Sequence, residues 1–350
     1  MKAAFKIFLG LMIGGLLLPA CIDETELDVT GAEGTVFIDG LVGDSLQVYT
    51  IKVSESAVVG VGTEYVHPAI SGATVEVVDD AGERVRFMEG ERAGYYEAEM
   101  KTEPGRAYHV EIQLPNGRTI TSSAAASLAS PPIKKVQVEA VQSEILTSTG
   151  GSSSETRAEV RLDVDIAGAT EPVLLRWRVR GEYEFQESYP GMIIPKTCYA
   201  PHTIDFNNLS LLDSRDYEGE NISSEPFFDV RLDYRFRINY CFHITQYRMN
   251  ERELEYWRTV EDVINVDGSF FDPPPGTVRG NLNYTDDDED LVLGYFSVVG
   301  VSSTKAFTSS GLLGANPNPL CPPWPPQRPD ECFDCLVLRG STQDEPSYWP

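Results

Sequence analysis

The feature that most constrains the fold is a two-residue alternation of apolar and polar side chains that recurs along most of the chain. It is clearest at residues 108–114, and it returns at 160–166, 175–180 and 236–245. Successive side chains of a strand point to opposite faces of a sheet, so this period predicts strands with one buried face. The 29 glycines and 23 prolines suit the turns between such strands. The expected fold class is therefore mainly β.

Residues 35–123 are predicted to form an N-terminal immunoglobulin-like β-sandwich. About seven strand-like segments fall within about 90 residues, a density typical of small sandwiches. Asp79-Asp80-Ala81-Gly82 is a turn signal, and Asn116-Gly117 favours a tight hairpin. Residues 124–132, which end in Ser130-Pro131-Pro132, are predicted to be a linker.

Residues 133–315 are predicted to form a second β-rich domain that contains one α-helix near 251–266. Asn250 is a candidate cap, and Glu253 follows it at the spacing of a capping box. Apolar residues recur near helical spacing from Leu254 to Ile264, and Gly268 is predicted to end the helix. Residues 316–350 form a tail rich in proline and cysteine.

Residues 1–20 are predicted to be an export signal. Lys2 and Lys6 lie beside an apolar run, residues 7–18, that is too short to cross a bilayer stably. The run ends in Leu18-Pro19-Ala20-Cys21, which resembles the bacterial lipoprotein signal, in which the cysteine is lipidated and becomes the new N-terminus. Cys21 is therefore the expected lipidation site. Each buried CH₂ contributes about 0.8 kcal/mol, so two or three acyl chains would anchor the protein effectively permanently.

Residues 21–34 form an acidic tether after this signal. The run is similar to the surface-export signal of Bacteroidota lipoproteins, and it also suits a solvated tether. Its carboxylates are Asp23, Glu24, Glu26 and Asp28. The whole chain has 28 Lys and Arg against 54 Asp and Glu, a formal net charge of −26. This balance excludes nucleic acid as a partner and argues against charge-driven adhesion to anionic lipid. The lipid is the expected membrane attachment.

Five cysteines besides Cys21 are candidates for disulfides. They are Cys198, Cys241, Cys321, Cys332 and Cys335. Export permits disulfides, and five thiols allow at most two bridges and one free cysteine. We expect the bridges to hold the tail, either within itself or back to Cys198 or Cys241. Zinc at Cys332 and Cys335 is disfavoured because two ligands fall short of the four that a structural site needs.

No residue pattern predicts a catalytic centre or a cofactor. The four histidines form no His-Glu-x-x-His motif, and the chain has no Gly-x-Ser-x-Gly elbow. Asp286, Asp288 and Asp290 are weak calcium candidates, but their run lacks the EF-hand pattern, and a solvated hairpin loop is the favoured interpretation. No metal is therefore expected.

An irregular stretch, residues 181–230, is rich in aromatic side chains. They are Tyr183, Phe185, Tyr189, Tyr199, Phe206, Phe227 and Phe228. Aromatic rings on loops suit binding of sugars or protein surfaces. The alternative, which we favour, is that these rings cover the core of the second domain.

Several short motifs resemble a family of Bacteroidota lipoproteins, the domain-of-unknown-function family 4249. They are the lipidated start, Ser71-Gly72-Ala73-Thr74-Val75, Gly94-Tyr95-Tyr96, Arg176-Trp177-Arg178-Val179, Lys196-Thr197-Cys198-Tyr199, Tyr256-Trp257, Phe271-Asp272-Pro273-Pro274-Pro275, Arg279-Gly280-Asn281, Leu293-Gly294-Tyr295-Phe296, Glu331-Cys332-Phe333-Asp334-Cys335, Arg339-Gly340 and Tyr348-Trp349. The resemblance implies an outer-membrane component that faces the cell exterior and associates with a TonB-dependent receptor. It supplies no activity and no catalytic residues.

We therefore expect a non-catalytic surface lipoprotein that binds a ligand or a receptor. Two alternatives stay open at this point. One is a hydrolase that uses carboxylates or a metal, which requires a pocket where acids or histidines converge. The other is a structural, adhesin-like protein, which requires a broad apolar patch.

Overall fold

The structure is a computed structural model that describes residues 34–56, 67–146, 151–191, 193–204, 209–217, 219, 221–264, 277–286, 290–322 and 328–350. It confirms the mainly β class. The strands are β1 (Val36–Gly43), β2 (Gln47–Glu55), β3 (Thr74–Asp79), β4 (Arg84–Glu89), β5 (Tyr95–Met100), β6 (Ala107–Gln113), β7 (Thr119–Ser122), β8 (Ala125–Ala126), β9 (Ile133–Leu146), β10 (Ser152–Asp165), β11 (Leu174–Gln186), β12 (Thr197–His202), β13 (Ser210–Asp213), β14 (Asn221–Arg231), β15 (Tyr240–Met249), β16 (Leu282–Tyr284) and β17 (Val292–Thr308). The described residues contain one α-helix, α1 (Glu251–Ile264).

The strands form one sheet of fourteen strands and one of three. The large sheet has the order β12-β11-β15-β17-β1-β2-β5-β4-β3-β6-β7-β16, with β13 paired to β11 and β8 paired to β6. The small sheet has the order β14-β10-β9. All of the pairings are antiparallel except that of β1 with β17, which is parallel.

Strand β17 joins two halves of the molecule. Its first residues pair with β1, from Val36 opposite Val292 to Gly43 opposite Val299. Its later residues pair with β15, ending at Thr308 opposite Tyr240. We call the described residues within 34–126 and 277–299 the first lobe, and the described residues within 133–264, 300–322 and 328–350 the second lobe. Strand β16 and the start of β17 follow the second β-rich segment in sequence, yet Leu282, Tyr284, Val292, Phe296 and Val298 pack in the core of the first lobe.

Two separate hydrophobic cores match this division. In the first lobe the alternating residues of β6 are buried as predicted, and Val110 and Ile112 have no exposed surface. In the second lobe Val160 and Leu162 of the small sheet pack with Leu175 of the large sheet. Each lobe is thus a sandwich whose core comes from the apolar faces that the two-residue period predicts.

Both predicted turns of the first lobe are present. Asp79 accepts hydrogen bonds at Oδ1 from the backbone nitrogens of Ala81 (2.9 Å) and Glu83 (2.8 Å), and Gly82 takes φ +84°. Gly117 takes φ +90° between β6 and β7. Such left-handed backbone favours glycine, so the residue choice accounts for the hairpins.

The apolar stretch 236–245 is only in part a strand. Strand β15 begins at Tyr240, four residues later than the alternation indicates. Asp233 caps a short 3-10 helix at Tyr234–Phe236 by accepting from the backbone nitrogen of Arg235. The Phe236 ring then stacks on Tyr240 with centroids 4.1 Å apart. Phe236 is therefore buried, but through ring stacking rather than through a place in the strand.

The segment between the lobes lies against β15 and β17. Gln246 donates from Nε2 to the carbonyl of Pro131 (2.7 Å), and Ser302 donates to the same oxygen (3.1 Å). Arg248 donates to the carbonyl of Ala129 (2.9 Å). Residues 129–131 are thus held by several hydrogen bonds to the second lobe.

Helix α1 begins as the sequence predicts. The Asn250 side chain accepts from the backbone nitrogen of Glu253 at 3.0 Å, which satisfies one of the unpaired N–H groups of the first turn. The Glu253 carboxylate does not complete a capping box; it accepts from Ser297 (2.7 Å) and from the Trp257 indole (3.3 Å) instead. Gly268, the predicted end of the helix, lies outside the described residues. Among the described residues, no helix has both the length and the apolar content that a bilayer crossing needs.

Candidate functional site

The predicted disulfides hold the tail in both of the expected ways. Cys321 bonds Cys332 within the tail, and Cys335 bonds Cys198 of β12 with their Cα atoms 5.9 Å apart. The fifth candidate, Cys241, is a free and fully buried thiol. Burial raises its pKa to about 12, so this thiol is unreactive at neutral pH.

The end of the tail lies over the outer face of β11, β15 and β17. We call residues 328–350 the tail strap. The Trp349 ring packs edge-on against the rings of Tyr199 and Phe307, with centroids 5.1 Å and 5.5 Å away. The Tyr348 ring lies 4.0 Å from the Lys305 ammonium. Together with the disulfides, these contacts make a proline-rich segment a fixed part of the second lobe.

A cavity of about 400 Å³ opens beside the middle of strand β11. Residues 174–177 of β11 pair with β13, and residues 181–186 pair with β12. Among the described residues, 178–180 have no strand partner on that side. We call this space the arginine cavity, because Arg176, Arg178 and Arg180 line it.

The arginine cavity has a cationic side and an apolar side. The three arginines alternate along β11 and therefore share its outer face. The apolar side is formed by side chains from both sheets and from residues that flank β12 and β13. They are Trp177, Val179, Ile204, Leu209 and Phe228.

The other polar residues of the arginine cavity are tied to one another. His243 Nε2 lies 3.0 Å from Glu182 Oε2, and the Tyr348 hydroxyl donates to the same carboxylate oxygen. Burial and this bond raise the pKa of Tyr348. His202 Nδ1 lies 2.7 Å from the Tyr240 hydroxyl. Glu182, the carboxylate of the lining, is therefore already engaged by its own neighbours.

A second and larger cavity lies between the edges of the two sheets. It has a volume of about 650 Å³ and is bounded by β13 of the large sheet and β14 of the small sheet. We call it the acidic cleft, because carboxylates line it. Its acidic residues are Glu159, Asp213, Asp216, Glu225, Asp229 and Glu261.

Arginines neutralise the inner carboxylates of the acidic cleft. Asp213 accepts from Arg215 at 2.5 Å and Asp229 from Arg157 at 2.8 Å. The Arg215 hydrogen bond lowers the pKa of Asp213. The Asp213 carboxylate is therefore held ionised, which suits a charged rim and does not suit proton donation.

Asp286 and Asp290, two of the calcium candidates, bind an arginine. Arg118 donates to Asp290 at 2.7 Å and to Asp286 at 3.4 Å, and its guanidinium lies 3.6 Å over the Tyr284 ring. Asp288 lies outside the described residues. Within those residues no cluster of three or more His, Cys, Asp or Glu is suited to a metal ion. The two described members of the calcium run are thus both engaged by Arg118.

The aromatic residues of 181–230 mostly cover the core. Four of them are buried: Tyr183, Phe185, Tyr199 and Phe228. The Tyr189 ring packs against the Phe333 ring of the tail strap, with centroids 5.4 Å apart. Phe206 lies outside the described residues. So do the lipidation and export residues. These are Cys21, Asp23, Glu24, Glu26 and Asp28.

The arginine cavity is the feature that the sequence analysis did not predict. The alternation of Arg176, Arg178 and Arg180 with apolar residues was visible, but it marks any half-buried strand. Strands β12 and β13 leave the gap beside these arginines, and their pairing is not a local property. The arrangement therefore became visible only with the sheet order.

A family profile matches residues 22–305, and its description is a domain of unknown function (DUF4249). The chain belongs to this family. The match spans strands of both lobes up to Lys305 in β17. It ends before the disulfide-bonded tail. A comparison with curated proteins finds no match.

Proposed function

We propose that this protein is a non-catalytic, lipid-anchored binding protein of the outer membrane that serves a TonB-dependent receptor at the cell exterior. The observation that carries the proposal is the arginine cavity, which joins a cationic side to an apolar wall in about 400 Å³. Small-molecule sites fall in this size range and combine apolar walls with a few polar groups.

The carboxylates support binding over hydrolysis. A glycosidase-like mechanism needs a carboxyl group with a raised pKa at a pocket. In the acidic cleft Asp213 has a lowered pKa. Burial raises the pKa of Glu253, but this residue is fully buried between α1 and β17. A hydrolase is therefore the alternative that the geometry favours less.

The arginine cavity lies beyond the middle of β17, whereas the segment that would carry the anchor enters beside its start. The tether, residues 22–34, can extend at most about 45 Å, and it leads into β1 beside the start of β17. The end of β17 lies beside Tyr240, next to Tyr183 of β11, about 50 Å farther along the strand. Lipidation at Cys21 would thus hold the first lobe nearest the membrane.

Exposed apolar side chains at the far end support a protein contact. We call them the apolar rim. They are Ile193, Ile194, Phe333, Leu336 and Val337. Ile193 is 91% exposed and Ile194 83% exposed. The rim lies far from the anchor, so a neighbouring receptor is a better occupant than the lipid that holds Cys21. A structural adhesin would use the same surface.

Pull-down of the lipidated protein from detergent-solubilised outer membrane tests the proposal. We expect a β-barrel receptor to co-purify with the wild type and with Leu46→Ser, a control that alters an exposed leucine of the first lobe. We expect the receptor to be lost from Ile193→Ser/Ile194→Ser. Recovery of no barrel protein from the wild type would overturn the receptor role.

Two further measurements test the remaining parts of the proposal. Cys21→Ser is expected to move the protein from the membrane to the soluble fraction, and unchanged fractionation would contradict lipid anchoring. The purified soluble part, offered glycoside and ester substrates, is expected to turn over none of them. Turnover that survives in Arg178→Gln but disappears in a carboxylate variant of the acidic cleft would establish the hydrolase instead.

A further inference from the structure

We propose that the arginine cavity and the acidic cleft form one continuous site for an elongated, uncharged apolar molecule, such as a long-chain alcohol or ester. The inference rests on the proposed binding function and adds the chemical class of the ligand. It follows from the residues that the two cavities share, from the hydrogen bonds and ion pairs that already occupy their polar groups, and from a bulge in β14.

The two cavities meet between the sheets of the second lobe. Four residues line both of them, and we call these residues the neck. They are Trp177, Leu209, Ser210 and Phe228. Beside β11 the joined space runs from Glu182 to the level of Leu174, which lies opposite Asp213. Eight residue steps of a strand span about 26 Å, so a molecule that fills the joined space must be long and narrow.

The neck offers a ligand apolar contact but no free side-chain donor. Among its four residues only Trp177 and Ser210 carry polar side-chain atoms. The Trp177 indole donates to Gln246 Oε1 at 3.1 Å, and the Ser210 hydroxyl donates to the carbonyl of Phe227. A polar ligand group placed here would lose its bonds to water without gaining a side-chain donor in return. The part of the ligand that passes the neck is therefore apolar.

Strand β14 is bulged beside the neck. In its register against β10, Pro226 and Phe228 have partners and Phe227 is skipped. Bulges of this kind re-aim a side chain and are common beside functional sites. Phe227 lines the acidic cleft, and its ring centroid lies 5.2 Å from that of Trp177. The bulge thus continues the apolar wall from the neck into the acidic cleft.

The charged groups beyond the neck favour an uncharged ligand. In the acidic cleft Asp213 is paired with Arg215 at 2.5 Å. Asp229 is paired with Arg157 at 2.8 Å. A charged head group would have to compete with these ion pairs, whereas an alkyl chain gains free energy by burying apolar surface alone. The net charge of −26 also repels anions at long range and exerts no such force on an uncharged molecule.

An extended peptide is a poorer candidate for the joined space. It would have to add as a strand to the exposed edge of β14. That edge carries the bulge at Phe227 and also Pro226, which has no N–H. Ser224 takes a positive φ of 53°. These features oppose strand addition, and a peptide that cannot pair would bury unpaired backbone groups at the neck.

Calorimetric titration of the full chain carrying Cys21→Ser is the first test, because this change removes the lipid that could compete for the site. The probe is decanol, and hexanol, decanoate and decylammonium are the comparisons, all at high salt to screen the net charge. We expect one decanol per protein, bound more tightly than hexanol by roughly tenfold or more because four more CH₂ groups are buried. We expect neither charged decyl compound to bind more tightly than decanol. Absence of decanol binding, or tighter binding of a charged compound, would overturn the inference.

Protection of introduced cysteines tests whether the two cavities are one site. Val179→Cys lies in the arginine cavity alone and Phe227→Cys in the acidic cleft alone. The natural free thiol, Cys241, is fully buried, so a thiol reagent labels the introduced residue. Saturating decanol is expected to slow labelling of both variants and to leave the exposed control Val48→Cys of the first lobe unchanged. Protection of only one of the two cavities would show that they are separate and overturn the continuous site.

A variant that fills the neck keeps the proposal falsifiable if either cysteine variant fails to fold. Leu209 is half-buried, so Leu209→Trp adds bulk to the neck without opening a core. It is expected to weaken decanol binding, whereas Leu46→Trp, at an exposed leucine of the first lobe, should not. Circular dichroism and melting temperature confirm folding, and unchanged affinity in folded Leu209→Trp would contradict the inference. Receptor co-purification is measured separately, so decanol binding that depends on the neck would stand even if no receptor were recovered.

Discussion

The two lobes are both sandwiches, but they are closed in different ways. The first lobe is completed by hydrogen bonds from a distant part of the chain, because β16 pairs with β7 and the start of β17 pairs with β1. The second lobe is completed by covalent bonds and by a tail, through Cys198–Cys335 and the contacts of Trp349. The cavities described above are all in the second lobe.

This difference bears on the binding role proposed for the second lobe. A sandwich whose edges are covered by returning strands has a continuous core and little room for a ligand. A sandwich whose edges end in short strands, as β12 and β13 do, leaves gaps where side chains of both sheets become accessible. Among the described residues, β12 and β13 leave residues 178–180 of β11 unpaired on one side. The disulfides help to hold this lobe together. Four experiments test this comparison, from the largest expected effect to the smallest.

The largest effect is expected from loss of the disulfide that joins the tail to β12. Cys198→Ala/Cys335→Ala opens a link between residues 137 positions apart, which should lower the free energy of unfolding by about 4 kcal/mol. Urea unfolding measures this cost. Cys321→Ala/Cys332→Ala opens a link across 11 positions and should cost less. An equal or larger loss for the short link would contradict the covalent closure of the second lobe.

A glycine in the first lobe should give the next effect. Gly294 has φ +92°, and an added Cβ would lie 1.9 Å from the carbonyl oxygen of Ile38. Gly294→Ala therefore strains the backbone and separates β17 from β1, at a cost of about 3 kcal/mol. Gly117→Ala is the control, because its φ is +90° but no atom lies within 4 Å of the added carbon. Thermal unfolding should show the larger drop for Gly294→Ala, and equal drops would refute close packing here.

A buried asparagine should give a somewhat smaller effect. Asn281 donates to the carbonyl of Phe296 at 2.8 Å and accepts from the nitrogen of the same residue at 2.9 Å. Asn281→Ala leaves two buried backbone groups without partners, which should cost about 2 kcal/mol. Asn283→Ala alters an exposed residue of β16 and should cost almost nothing. Chemical denaturation measures the free energy of unfolding of both variants. An Asn281→Ala variant as stable as the wild type would show that the first lobe is not closed by these bonds.

The smallest effects are opposite pH dependences near α1. The hydrogen bond from Arg215 lowers the pKa of Asp213, so its stabilisation is present above the unfolded pKa of about 3.9 and is lost as pH falls through the folded pKa. Burial raises the pKa of Glu253, so stability falls as pH rises from about 4.3 toward the folded pKa. Urea unfolding at several pH values should show that Asp213→Asn flattens the acid limb and Glu253→Gln flattens the opposite slope. The same slope change in both variants would contradict these assignments.

Local patterns predicted much of the fold. The buried faces of β6 and β10, the turns at Gly82 and Gly117, and the Asn250 cap all depend on neighbouring residues, and all are present. The disulfide candidates were also recognised, because export and cysteine number limit what thiols can do. These features can be predicted without knowing which strands pair with one another.

Features that depend on distant pairing could not be predicted. The alternation of residues 292–299 identifies a strand but not its partner, so the return of β17 to β1 was invisible. Glu253 fits a capping box by spacing, yet its carboxylate accepts instead from Ser297 of the distant strand β17 at 2.7 Å. The gap beside Arg178 likewise arises from where β12 and β13 stop. Site prediction failed where chemistry depends on sheet order.

The parallel pairing of β1 with β17 has a mechanical consequence. If Cys21 is lipidated and the far end binds a receptor, as proposed above, a pull on the lipid acts on β1 toward its N-terminus, while the receptor holds β17 toward its C-terminus. The two strands are then drawn in opposite directions along their length, so the hydrogen bonds between them share the force in shear and do not open one after another. An anchored molecule of this design should resist being torn from its membrane by whatever it holds.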